Sequence, residues 1–370
     1  MWPAATILST GSTPGALASR ASTGRHARRP LLCGYYGEHN LGDDALLAVL
    51  LEQLPAGVRP LVTAHDQALV RSRFAVETVD RRSLAGVLAA LASCDALVLG
   101  GGSLLQDSTS FRSLIYYALL IVSARLRGRP VLLWGQGLGP LRRRRSRCLV
   151  RVLLPLVSAS SWRDPASASL AVRLGGGGAV GSDPVWGFPA VSWRGDGGPI
   201  VVCWRPLPRF KAEHWRPYLE ALTQLAEAVD RPVLWLAFHA HQDGPLLEVL
   251  TEEGLVGEGL RRRSHTERPG DPAEALRRFQ AAGLVVAMRL HGLILAALAG
   301  APCAALSYDP KVAAAAAAIG CPCHDLEAPP PQDLAEGWRA ALDQPPSAAR
   351  MAAQRGATEP HRRLLHSWLG

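Results

Sequence analysis

The chain has 370 residues, 48% of them hydrophobic and 19% charged, with a net charge of +9. That balance excludes a disordered chain, and the length suits two domains that each bury a core of their own. The charge favours anionic partners without choosing among phosphates, nucleic acid and a membrane surface.

Four of the positive charges (Arg20, Arg25, Arg28 and Arg29) sit in an acid-free leader that runs to Pro30. The leader, residues 1–30, is rich in Ala, Ser, Thr and Gly but lacks the continuous apolar core of a secretory signal, so it reads as disordered or targeting-like. No stretch offers the ~18 uninterrupted apolar residues of a membrane span. The expected location is cytoplasmic, at the inner face of the membrane if the arginine run described below binds lipid. Seven cysteines in apolar segments (Cys33, Cys94, Cys148, Cys203, Cys303, Cys321 and Cys323) read as reduced core residues. Cys321-Pro322-Cys323-His324 lacks a second ligand pair at zinc spacing, so no metal is expected.

From Pro30 onward short apolar runs alternate with helical patterns, the signature of parallel sheets with crossover helices. Leu31 to Tyr36 is the first expected strand, and Gly37 to Asp44 forms a loop leading into a helix that reaches about Leu54. Gly37 and Gly42 would let backbone amides approach a ligand, and Asp43 or Asp44 suits the first helical turn, although a plain strand-to-helix turn accounts for the same pattern. Further strands are expected at Pro60 to Ala64, Ala96 to Leu99, Val131 to Trp134 and Ser158 to Trp162.

Two of these strands run into glycine-rich loops, Gly100 to Asp107 and Gly135 to Pro140, which would line one edge of a sheet and leave room for a phosphate or sugar. Neither is a Walker loop or a dinucleotide fingerprint. Arg142 to Arg145, with Arg147 and Arg151, head the next helix; such a run is usually a solvated face, and the sharper alternative is a membrane-surface patch. Nucleic acid is disfavoured, because no aromatic residues interleave with the cluster.

Arg163 ends the strand Ser158 to Trp162, with Asp164 as its plain surface partner. A Gly- and Pro-rich shift over Val185 to Pro199 marks the domain linker, which places an N-terminal domain at 31–190 and a C-terminal domain at 199–345. The second series has a strand at Ile200 to Trp204, a helix around Glu213 to Val229 and a strand at Val233 to Phe238, with His239 and His241 as polar lining at the sheet edge. A buried strand over Gly283 to Ala287 then turns into a helix over Gly292 to Ala299. Arg289 and His291 therefore fall where a strand end meets a helix start, a position that favours an anion. Of 40 basic residues only Lys211 and Lys311 are Lys. Lys311 follows a strand over Ala304 to Asp309, where a compact ammonium would be useful, although chance explains it equally well. Ala313 to Ala318 and Gln332 to Leu342 read as helices. The tail, Ser347 to Leu369 within residues 346–370, reads as helix packing back on the first domain.

Six motifs in order carry a resemblance that covers nearly the whole chain from Leu31 to about His366. They are Gly34-Tyr35-Tyr36-Gly37 with Asn40-Leu41-Gly42-Asp43, Gly100 to Asp107, Gly135 to Pro140, Arg163-Asp164, Met288-Arg289-Leu290-His291 and Tyr308-Asp309-Pro310-Lys311. On these the chain resembles the polysaccharide pyruvyl transferase family.

The resemblance implies an α/β fold of two Rossmann-like domains facing across a cleft, GT-B-like. It also implies transfer of the enolpyruvyl unit of phosphoenolpyruvate onto two hydroxyls of a sugar in a cell-surface polysaccharide or its lipid-linked precursor, giving a pyruvate ketal and phosphate. Carried over, Arg163, Arg289, His291 and Lys311 are the expected catalytic residues. Leu290, Gly101, Gly102, Ser103, Asn40, Asp43 and Gln136 join them as expected substrate-binding residues. The expected partners are phosphoenolpyruvate as donor substrate and a saccharide acceptor, lipid-linked, with no nucleic acid and no cofactor. The chemistry agrees: two arginines offer bidentate donors to a carboxylate or phosphate, Lys311 a point charge, and His291 a proton for carbon 3. The competing readings are a GT-B glycosyltransferase using a nucleotide-sugar donor and a non-catalytic saccharide-binding protein.

Overall fold

The computed structural model describes residues 29–107 and 110–370; residues 1–28 of the leader lie outside the described residues. Two parallel sheets carry the fold. The first contains β1 (Pro30–Tyr36), β2 (Leu61–Ala64), β3 (Glu77–Asp80), β4 (Ala96–Gly100), β5 (Val131–Gln136), β6 (Ala159–Trp162) and β7 (Ala179–Val180). The second contains β8 (Ile200–Cys203), β9 (Val233–Leu236), β10 (Ser264–Glu267), β11 (Leu284–Ala287), β12 (Cys303–Ser307) and β13 (Cys323–Asp325). Their strand orders are β3-β2-β1-β4-β5-β6-β7 and β10-β9-β8-β11-β12-β13.

The apolar runs explain the central strands. β4, β5, β8, β9, β11 and β12 are buried along their whole length, as strands with helices on both faces must be. The edge strands β3, β7, β10 and β13 were not expected from sequence. They are two to four residues long and none is buried, so they carry no apolar run. The tail forms two helices, Ala348–Gly356 and Glu359–Leu369, rather than one. The second returns to the first sheet, where His361 is fully buried and its Nε2 lies 2.7 Å from the Ser182 carbonyl oxygen.

In each sheet the chain reverses its direction of travel once, between β1 and β4 in the first and between β8 and β11 in the second. Loops diverge at these switch points, and ligands of open α/β sheets bind outside the carboxyl ends of the strands there. The two carboxyl edges meet. The Leu41 amide donates to the Phe238 carbonyl at 2.9 Å, the Ala240 amide donates to the His39 carbonyl at 3.0 Å, and Asn40 pairs with His239 in an antiparallel bridge. The helix Leu41–Glu52 also packs on the helices Pro272–Gln280 and Leu290–Leu298 of the other half. Leu46 and Leu50 therefore share a core with Leu293 and Phe279.

Candidate active site

Loops from both switch points supply the polar cluster where the sheets meet. After β1, Asn40 caps the helix Leu41–Glu52: its side-chain oxygen accepts from the Gly42 amide at 3.0 Å, and its Nδ2 donates to Asp43 Oδ2 at 2.6 Å. After β4, Gly101 and Gly102 both have φ of +70°, a left-handed pair that only glycine adopts without strain. This turn leaves Ser103 half-buried.

Gln136 at the end of β5 fastens that turn. Its Nε2 donates to the Leu99 and Gly101 carbonyls at 3.1 and 2.8 Å, and its Oε1 accepts from the Leu104 amide at 3.4 Å. It is fully buried. Asp107 closes the loop by accepting from the Arg142 and Arg143 amides at 2.9 and 2.8 Å. Burial would raise its carboxyl, but these two amides win and hold it below the usual range.

Ser103 is where the two halves touch chemically. Arg163 Nη2 and Lys311 Nζ both donate to its Oγ, at 3.0 and 2.8 Å, and Lys311 Nζ also reaches the Gly139 carbonyl at 3.5 Å. Lys311 is placed by the helix Pro310–Ile319, whose N-cap Asp309 accepts from the Lys311 amide at 3.0 Å. Burial, with the neighbouring Arg163 charge, pulls the Lys311 ammonium down to about 8. Two cations share one neutral hydroxyl, an arrangement that suits an incoming anion.

Asp183 was not anticipated from the sequence. It follows Gly181-Ser182 and precedes Pro184, just before the stretch Val185 to Pro199 that reads as linker, and only the tertiary structure shows that it lies under the site. Its carboxylate accepts from Arg163 Nη1 at 3.1 Å and from the Val185 amide at 3.0 Å, and stands 3.6 Å from His291 Nε2. Burial alone would raise it, but His291 and then Arg163 hold it far below the usual carboxylate range. His291 comes from the first turn of Leu290–Leu298. Its Nε2 is buried and makes no hydrogen bond among the described residues. A Cβ on Gly42 would lie 2.1 Å from His291 Nδ1, so the imidazole rests directly on the backbone of the other half.

Asp43 completes the cluster. Burial raises its carboxyl to about 7, against the opposing pull of His291 and with a further push from Asp44.

Arg289 and Leu290 are positioned differently. The Arg289 guanidinium grips Asp243 through Nε at 3.0 Å and through Nη2, and reaches Gln242 Oε1 at 3.4 Å. Asp243 also accepts from the His239 amide at 2.8 Å, which ties this pair to the bridge between the sheets. Leu290 is half-buried against the shared core. The structure thus gathers Asn40, Asp43, Ser103, Arg163, His291 and Lys311 into one cluster with Asp183, while Arg289 has its own buried partner. In the Cys321–His324 segment Cys323 is exposed, and His324 Nε2 meets the Tyr218 hydroxyl at 3.1 Å.

Two parallel sheets meeting at their carboxyl edges, with the site between them, define a two-domain GT-B-type protein. Solved structures of that type resemble it. Methanocaldococcus jannaschii UDP-GlcNAc 2-epimerase superposes with a TM-score of 0.60 at 12% identity, covering 92% of this chain and 99% of that one. Anabaena HepE, crystallised in complex with UDP, gives 0.55 at 15% identity, with 92% and 95% covered. The Neisseria meningitidis UDP-GlcNAc 2-epimerase bound to UDP-GlcNAc gives 0.58 at 12% identity, with 91% and 100% covered. No curated protein sequence matches the chain. The profile of the polysaccharide pyruvyl transferase family matches residues 40–310, and the chain belongs to that family.

Proposed function

We propose that the protein transfers the enolpyruvyl unit of phosphoenolpyruvate onto two hydroxyls of a saccharide, forming a cyclic pyruvate ketal and releasing phosphate. The observation that carries this reading is the pair of cations, Arg163 and Lys311, converging from the two halves on Ser103. A donor with a phosphate and a carboxylate would displace that shared hydroxyl contact and take both cations directly. Arg289 keeps N–H groups that Asp243 does not occupy, and these can meet the carboxylate.

His291 delivers a proton to carbon 3 of the donor, which makes carbon 2 electrophilic. Asp183 beneath it stabilises the imidazolium before transfer. The first sugar hydroxyl then adds to carbon 2 and the second displaces the phosphate. Of the two hydroxyl protons, one replaces the proton given to carbon 3 and the other leaves with the phosphate. Asp43, with its carboxyl raised to about 7, can accept a hydroxyl proton near neutral pH.

A second reading, glycosyl transfer from a nucleotide sugar, is motivated by the UDP and UDP-GlcNAc held by the structural neighbours. The two separate in one experiment. The protein is incubated with phosphoenolpyruvate and a panel of lipid-linked and nucleotide-linked hexosamines, with phosphate release and the mass of an added ketal as readouts. Pyruvyl transfer requires both signals together. No phosphate release with any acceptor, alongside sugar transfer from a UDP-sugar, would establish the second reading.

A further inference from the structure

The helix Phe111–Leu126 carries apolar residues on two opposite faces, with Arg112 and Arg125 also exposed. One face, with Leu114, Tyr117, Leu120, Ile121 and Ala124, is buried against the first sheet. The opposite face presents Ile115, Leu119, Val122 and Leu126 to solvent, Leu119 at 44% exposure and Leu126 at 82%. Their spacing of four, three and four residues puts all of them on one stripe. A solvent-facing helix is normally polar on that side, so an aliphatic stripe of this length marks a surface that meets something apolar.

The neighbouring helix, Arg144–Leu153, supplies the charge. Arg142, Arg143, Arg144, Arg145, Arg147 and Arg151 are exposed, together with Val152 at 67%. Arg145 stacks over the Phe111 ring at 4.2 Å, which joins the two helices where the stripe begins. Among the described residues none of these six arginines lies within ion-pair distance of a carboxylate. No Asp or Glu occurs between Asp107 and Asp164.

The arrangement works against the helix itself. Cations crowd its N-terminus, where the helix dipole disfavours them, and Arg143, Arg147 and Arg151 repel one another at four-residue spacing. Asp107 offsets part of this through the Arg142 and Arg143 amides, and an external anion would relieve the repulsion that remains among the side chains.

We propose that this face docks on an anionic lipid bilayer, with the stripe at the boundary of headgroups and acyl chains and the arginines on lipid phosphates. Aliphatic exposure beside arginines that have no carboxylate in ion-pair distance among the described residues matches a surface that is apolar beneath and anionic above. Among the described residues no helix is long and apolar enough to cross a membrane, so the contact is peripheral. The basic end adjoins the site, because Arg142 follows within three residues of Gly139, whose carbonyl accepts from Lys311. A saccharide carried on a lipid would reach the cluster from this side. That last step rests on the proposed reaction, whereas docking does not.

The test uses the full chain and needs no activity. Co-sedimentation is measured with vesicles of phosphatidylcholine alone and with phosphatidylglycerol added, at low and raised ionic strength. Binding is expected only with phosphatidylglycerol and should weaken with salt. Each basic residue contributes about fivefold to partitioning, so the triple variant Arg143→Ala/Arg144→Ala/Arg147→Ala should lose about a hundredfold. Leu119→Ser/Leu126→Ser, which alters only exposed side chains, should lose at least about tenfold with an unchanged melting temperature. Failure to bind anionic vesicles at low salt would overturn the proposal, as would wild-type partitioning of either variant. So would a dimer in sedimentation velocity that Leu119→Ser/Leu126→Ser dissociates, since the stripe would then belong to a second copy of the chain.

Discussion

Replacing Gly42 with Ala tests whether His291 must lie where the structure holds it. The added Cβ would stand 2.1 Å from His291 Nδ1, 2.9 Å from its Cγ and 3.1 Å from its Cβ. Comfortable contact begins near ~3.5 Å, so the imidazole must retreat by more than about 1 Å. A misplacement of about 1 Å costs about a hundredfold in rate, equivalent to about 2.7 kcal/mol at the transition state. Stability should move little, because Ala is favoured over Gly in a helix, by less in this first turn than the ~1 kcal/mol of a helix interior, and that gain offsets part of the repacking. Gly42→Ala should therefore melt within a few degrees of wild type, bind phosphoenolpyruvate nearly as well, and turn over about a hundredfold more slowly at saturating donor. Phosphate release against donor concentration, with calorimetric titration of the donor and a thermal melt, measures all three. Wild-type turnover at saturating donor would refute the claim that His291 acts from this position.

Two predictions concern titration. Lys311 is pulled down to about 8, so at pH 8 about half of its ammonium is deprotonated before the donor arrives. An anionic donor favours the charged form, and binding should take up as much as about half a proton; titrations in buffers of different ionisation enthalpy read this directly, and no uptake would separate Lys311 from the donor site. Asp43 is raised to about 7 from an unfolded value of ~3.9, so its contribution to stability is fully present below pH ~4 and is lost as pH rises through 7. Asp43→Asn should remove that loss, and its melting temperature should gain on wild type between pH ~4 and ~7; parallel curves would show that the carboxyl is not buried as described.

The sequence displayed the central strands and hid the edges, for one physical reason. Strands such as β11 and β12 are covered on both faces and must be apolar throughout, so a run of Val, Leu and Ala announces them. β10 reads Ser264-His265-Thr266-Glu267 and pairs with β9 through its backbone, and backbone pairing leaves no mark on side-chain polarity. The site divides in the same way. Strand ends followed by helix starts could be located, and with them Arg163, Arg289 and His291. Which of these share a ligand depends on the partner each one finds. Asp183 holds Arg163 and faces His291 from just before the stretch that reads as linker, and Asp243 takes Arg289, each carboxylate lying at least 20 residues along the chain from its arginine. Gln136 sits in the motif that suggested a ligand loop, yet its amide is spent on the backbone of the neighbouring loop.

The return of the last helix to the first sheet bears on how the chain is made. Trp134, at the heart of that sheet, packs against His361 with ring centres 6.0 Å apart, and Leu365 and Leu369 are buried in the same cluster. The Ser182 hydroxyl donates to the Gln354 carbonyl at 2.6 Å, and Arg355 Nη1 donates to the Phe188 carbonyl at 2.8 Å. During synthesis the first sheet is complete once β7 has emerged, yet one of its flanks stays uncovered until the eleven-residue helix Glu359–Leu369 leaves the ribosome. The second sheet has no such wait, because its strands and their helices arrive consecutively. Vectorial folding of this chain is thus inverted for half of the molecule: the half translated first is the half finished last.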